Sequence, residues 1–135
     1  MRFFADETDL LLAKKLEAEF PGDVVYPGHL DLPEVPRQSL DESWLPTVGE
    51  KRLVVITRDK RIRYKPVERK LWIDHHIRGL VLTGRSNQKT DTSVQILKNH
   101  WKAIEHVIQQ NPDGPWMYAV TNSALNKIDL VPDKE

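Results

Sequence analysis

The chain has 135 residues, no cysteine, and 20 basic against 20 acidic side chains, so its formal net charge is zero. That length suits one domain with a real core, the absence of cysteine excludes a disulfide framework and a thiolate metal site, and the balanced charge excludes a simple polybasic nucleic-acid binder. No run approaches the roughly 18 apolar residues of a membrane-spanning helix, and the opening MRFFADETDLLLAKK lacks the apolar stretch of a secretory leader, so a cytoplasmic location and no membrane partner are expected.

In chain order, MRFFA reads as a short strand bounded by Asp6 and Glu7. Thr8 is placed to cap a helix from about Asp9 to Phe20, with Leu12, Leu16 and Phe20 on one stripe, and Pro21-Gly22 stops it. Asp23 to Tyr26 reads as a second strand. Pro27, Gly28, Pro33 and Pro36 then make a loop. Asp41 to Val48 reads as a short helix. Arg52 to Thr57 is the best strand in the chain, short, apolar and β-branched. Pro66 suits the first turn of a helix ending near His75 or His76. Arg78 to Thr83 is a fourth strand. Val94, Leu97, Trp101, Ile104 and Ile108 recur at helical spacing behind the capping pattern Thr92-Ser93-Val94-Gln95 and predict one long helix. Trp116 to Thr121 and Asn126 to Leu130 close the domain as strands, the second at an edge. One domain over 1–130 with a loose tail over 131–135 is expected.

Strands alternating with helices call for a parallel sheet, helices on both faces and right-handed crossovers. In such sheets ligands bind beyond the carboxyl ends of the strands. Asp6 and Glu7 follow the first strand there, and Asp59 follows the third, while Asp41 and Glu42 open the helix before it. Gathered carboxylates repel one another, and a hard cation relieves this. Oxygen-only ligands favour Mg²⁺ or Mn²⁺, which assist phosphodiester hydrolysis. For each acid the plainer alternative is a helix cap.

The charge is unevenly spread. Lys51, Arg52, Arg58, Lys60, Arg61, Arg63, Lys65, Arg69 and Lys70 crowd one stretch that holds only Asp59 and Glu68 as acids. Such a run points to one face for a polyanion or, more plainly, to a solvated surface. Trp44 and Trp72 are either base-stacking platforms or core. His75-His76, His100 and His106 are expected at helix ends and surfaces, not as ligands, and Arg85 and Lys89 lie in a polar loop on the ligand edge.

The segments FFADET, SLDESWLP, VVITRDKRIR and KPVERK resemble the PIN-like domains of the VapC toxin type, over Met1 to about Leu130. The resemblance implies a three-layer α/β/α sandwich with a mainly parallel sheet and a metal-dependent ribonuclease. It implies Asp6, Asp41 and Asp59 as catalytic metal ligands, with Glu42 competing for the middle place and Glu7 auxiliary. Thr57, Arg58, Lys60, Arg61 and Arg63 are the candidates for substrate RNA. Arg61 stands where many relatives carry a further acid. The family also implies a small antitoxin partner and a homodimer. Two other classes compete. One is a PIN-like module that binds RNA or a partner without cutting. The other is a phosphoacceptor receiver domain, for which Thr83 fits but a lysine ending the fifth strand is missing.

Overall fold

A computed structural model describes residues 2–6, 10–59, 64–83 and 89–130. Eleven elements follow in order: β1 (Phe3–Ala5), α1 (Leu10–Glu19), β2 (Val24–Val25), α2 (Asp41–Glu50), β3 (Val54–Thr57), α3 (Pro66–Asp74), β4 (Arg78–Leu82), α4 (Thr90–Asn99), α5 (Trp101–Gln110), β5 (Trp116–Val120) and β6 (Leu125–Ile128). They build one sheet in the order β2-β1-β3-β4-β5-β6. The first five strands are parallel and β6 runs antiparallel against β5. The expected α/β sandwich is therefore the observed one.

Alternation along the strands splits the core in two, because successive side chains point to opposite faces. Phe3, Ala5, Val54, Ile56, Leu80 and Leu82 pack under α1, α4 and α5. Phe4, Val55, Val81 and Met117 pack under α2, α3 and the proline loop. Trp44 and Trp72 are fully buried in the second layer, so they are core and not base-stacking platforms. The Trp72 ring fits because Gly79 sits beneath it; a Cβ there would lie 2.4 Å from the Trp72 ring.

Two features depart from expectation. The single long helix is broken at His100 into α4 and α5. There the His100 ring bonds the Thr121 carbonyl at 2.9 Å, tying the break to the end of β5. Trp101, just past it, stacks on Phe20 with ring centres 4.1 Å apart. The second departure concerns handedness. The step from β1 to β2 and the step from β4 to β5 run in opposite directions across the sheet. Their helices nevertheless share a face: α4 lies beside α1. The β4–β5 connection therefore has the opposite hand to the other three crossovers, against a strong general preference.

Helices α2 and α3 end alike. Leu53 N–H bonds Val48 O at 3.1 Å and Arg52 N–H bonds Gly49 O at 3.1 Å; Ile77 N–H bonds Trp72 O at 2.9 Å and His76 N–H bonds Ile73 O at 3.2 Å. These are paired Schellman closures, which want a left-handed residue just past the cap. Arg52 (φ 57°) and His76 (φ 54°) occupy those places, where glycine is usual.

Candidate active site at the carboxyl edge of the sheet

The chain leaves β1 and β3, neighbours in the sheet, toward opposite faces. That divergence opens a crevice at their carboxyl ends. Asp6 directly follows β1 and its N–H bonds Ile56 O at 2.9 Å, extending the ladder one residue past the strand. Its side chain is buried, with the residue 9% exposed. Thr57 ends β3. Its hydroxyl accepts the Asp59 N–H at 3.0 Å and is 3.1 Å from Asp6 Oδ2. A backbone N–H can only donate, so the hydroxyl proton is left for Asp6. Thr57 thus ties the first acid to the third, and being buried it positions acids where a substrate contact was expected.

Asp41 arrives from the other side, as the first residue of α2. It is not the cap: Leu40 holds that place. Its Oδ1 accepts the Trp44 Nε1–H at 3.0 Å, one turn along the helix. Burial raises the Asp41 carboxyl above its ordinary value, and the negative charge of Asp6 adds to this. The Trp44 bond acts the other way, and Asp59 and Glu68 push up again. Asp41 therefore lies in the field of three other carboxylates. Glu42, its rival for the middle position, is exposed.

Glu68 is the acid that sequence reasoning missed. It sits in the first turn of α3, behind Pro66, with its side chain 19% exposed and Lys65 Nζ 3.8 Å away. A signal was present: Glu68 is one of only two acids in the basic run, and it opens the helix that follows the Asp59 loop. The place searched for a further acid was Arg61, in the loop itself. Glu7, Lys60, Arg61 and Arg63, together with Thr8 and Arg85, lie outside the described residues.

The described members of the basic run do not share one face. Arg58 and Lys65 are at the carboxyl edge with the acids. Lys51 pairs with Glu34 at 2.7 Å, and Arg52 turns to Asp113 at the opposite edge. Arg69 reaches the Asp129 carbonyl at 3.4 Å, and Lys70 pairs along α3 with Asp74 at 2.6 Å. Among the described residues the expected polyanion surface is thus divided, because Lys51 and Arg52 precede β3 and Arg58 follows it.

Among the described residues no three His, Asp or Glu side chains are gathered closely enough to chelate an ion unaided. Mg²⁺ does not require that, since it is commonly held by one or two carboxylates and keeps several waters. The donor set is oxygen-only and the mutual repulsion felt by Asp41 is what a cation would relieve, so the residues fit such an ion. No helix of the described residues is long and apolar enough to cross a membrane.

No curated protein and no solved structure matches the chain significantly. Residues 1–84, which run from β1 through β4 and carry all four acids, match the PIN-like domain family. With more than half its length so matched, the chain belongs to the PIN-like domain family.

Proposed function

We propose that this protein is a metal-dependent endoribonuclease that hydrolyses RNA phosphodiester bonds at the carboxyl edge of its sheet. One observation carries the reading: Asp6 after β1, Asp59 after β3 and Asp41 at the start of α2 lie close enough that Asp6 and Asp59 add to the burial that raises the Asp41 carboxyl above its ordinary value. A protein gains no stability from that arrangement. Asp6, Asp41 and Asp59 would hold Mg²⁺ or Mn²⁺, with Glu68 at the margin. When bound, such an ion activates a water and stabilises the leaving oxygen.

The chain's own residues do the rest. Thr57 fixes the Asp6 carboxylate against the Asp59 backbone. The Trp44 N–H fixes Asp41. Arg58 and Lys65 supply positive charge near where a phosphate would lie. The resemblance of FFADET and VVITRDKRIR to VapC-type toxins supports a finer reading, the toxin half of a pair held by a small antitoxin protein.

A second reading is a PIN-like module that binds RNA without cutting. It is favoured by the lack of a ready-made chelate among the described residues and by Arg61 in place of an acid. Cleavage assays separate the two. Asp6→Asn and Asp41→Asn should each abolish Mn²⁺-dependent cleavage of single-stranded RNA while circular dichroism stays that of the parent. Cleavage undiminished in both variants would sink the nuclease assignment; no cleavage by the parent with any RNA, despite metal-dependent RNA binding, would select the module.

A further inference from the structure

At the amino-terminal edge of the sheet, away from the carboxylates, a pocket of about 320 Å³ opens where α2, α3 and α5 end. Arg52, His75, His76, Arg78 and Asp113 line it. Three independent features single it out.

The first is Arg78, the opening residue of β4, only 9% exposed. Buried charges are normally paired. Among the described residues Arg78 bonds only the Arg52 carbonyl, and no carboxylate comes within ion-pair distance. Burial lowers its pKa, and the neighbouring charge of Arg52 does the same; the more distant Asp113 alone opposes them. An arginine has five N–H donors; no described residue takes the rest, and since no buried side-chain nitrogen among the described residues is left unpaired, those donors are open to solvent.

The second is backbone strain. Arg52 and His76 adopt left-handed conformations that glycine takes without cost. Of the three described non-glycine residues with positive φ, Gln38, Arg52 and His76, the last two line this one pocket. Such outliers persist where the side chain has a task.

The third is the state of the helix ends. Helix carboxyl ends carry partial negative charge that would repel an anion. Here the Schellman bonds take up the carbonyls of Val48 and Gly49 in α2 and of Trp72 and Ile73 in α3, and Pro112 O accepts from Arg52 at 3.0 Å. Asp113, the acid lining the pocket, is paired with Arg52 at 3.1 Å and largely exposed at the rim.

We propose that this pocket binds a small phosphate-bearing ligand, gripped by Arg52 and Arg78 with His75 and His76 as further donors. Guanidinium groups match the oxygen geometry of phosphate. The volume is at the lower end of small-molecule sites, enough for a phosphate carried on an organic group such as a nucleoside. This site is separate from the carboxylate crevice and does not depend on the nuclease reading.

The test is thermal unfolding with inorganic phosphate and with adenosine 5′-monophosphate, each against chloride at matched ionic strength. Either probe should raise the melting temperature beyond chloride, by linkage to the folded state. A shift with both identifies the phosphoryl group as the recognised part; a shift with the nucleotide alone identifies the whole nucleotide. His76→Gly and Arg52→Gly should leave the ligand-free melting temperature equal or higher, since each relieves strain, yet weaken the apparent affinity about tenfold or more. Arg78→Met should abolish the shift. Asp6→Asn, at the other edge, should keep it. No shift beyond chloride, or an undiminished shift in both glycine variants, would overturn the site. So would a shift lost in Asp6→Asn but kept in His76→Gly, since the anion would then sit at the carboxylates.

Discussion

At the scale of single residues, the site depends on hydroxyl and indole groups as much as on acids. Thr57→Val keeps the shape of β3 but removes the link between Asp6 and the Asp59 backbone. Urea denaturation should show a loss of about 2 kcal/mol, the usual scale for a buried hydrogen bond to a charged group. RNA cleavage should fall by roughly 10- to 100-fold, as for residues that orient metal ligands. Asp41 makes a different prediction. Its folded-state pKa is raised above the unfolded value, so its contribution to stability is full below that value, ordinarily 3.8. The contribution is lost as pH rises through the folded value. Without divalent metal, Asp41→Asn should therefore melt higher than the parent at pH 7, and the gain should vanish as pH falls below about 4. The asparagine carbonyl still accepts the Trp44 N–H. A gain independent of pH would mean that ionisation of the buried Asp41 carboxyl is not its source. Asp6 and Asp59 were legible in the sequence as acids following strands, and Asp41 as the acid opening the helix before β3. Glu68 was passed over despite its place in the basic run, because its nearness to Asp41 is a matter of how α3 packs and not of spacing along the chain.

At the scale of elements, the strands were legible because they are buried on both faces and so read as continuous apolar β-branched runs. Their starts were less so. Arg52 reads as the first residue of β3 yet closes α2 in a left-handed turn, as the bonds of Leu53 and Arg52 back to Val48 and Gly49 show. The long helix was legible as a period but not as two pieces, because the period survives the break at His100. The unusual hand of the β4–β5 connection was invisible too: a sequence pattern says that a helix covers the sheet, not which face it covers. Packing supplies the element-scale prediction. Gly79→Ala puts a methyl 2.4 Å from Trp72. That ring is fully buried and held by its Nε1–H to Trp116 O at 3.1 Å, so it has little room to retreat. Denaturant titration should show a loss of about 1 to 3 kcal/mol; an unchanged midpoint would show that α3 slides freely on the sheet.

At the scale of the whole molecule, zero net charge conceals two edges of different character. The carboxyl edge gathers Asp6, Asp41, Asp59 and Glu68 with Arg58 and Lys65 close by. The pocket at the amino edge is lined by Arg52 and Arg78 with two histidines and one exposed acid. The basic run was legible in the sequence, and its described members divide because β3 separates Lys51 and Arg52, before it, from Arg58, after it. The central claim is that the acids at the carboxyl edge bind a divalent cation and cut RNA with it. Its most direct test is titration of Mn²⁺ into the parent protein and Asp59→Asn, with RNA cleavage followed in the same samples. The account predicts that the parent binds and cleaves, and that the variant, still folded, loses metal binding and cleavage together. Equal Mn²⁺ binding and equal cleavage by both proteins would contradict it, and would leave Asp59 as a surface acid among its basic neighbours.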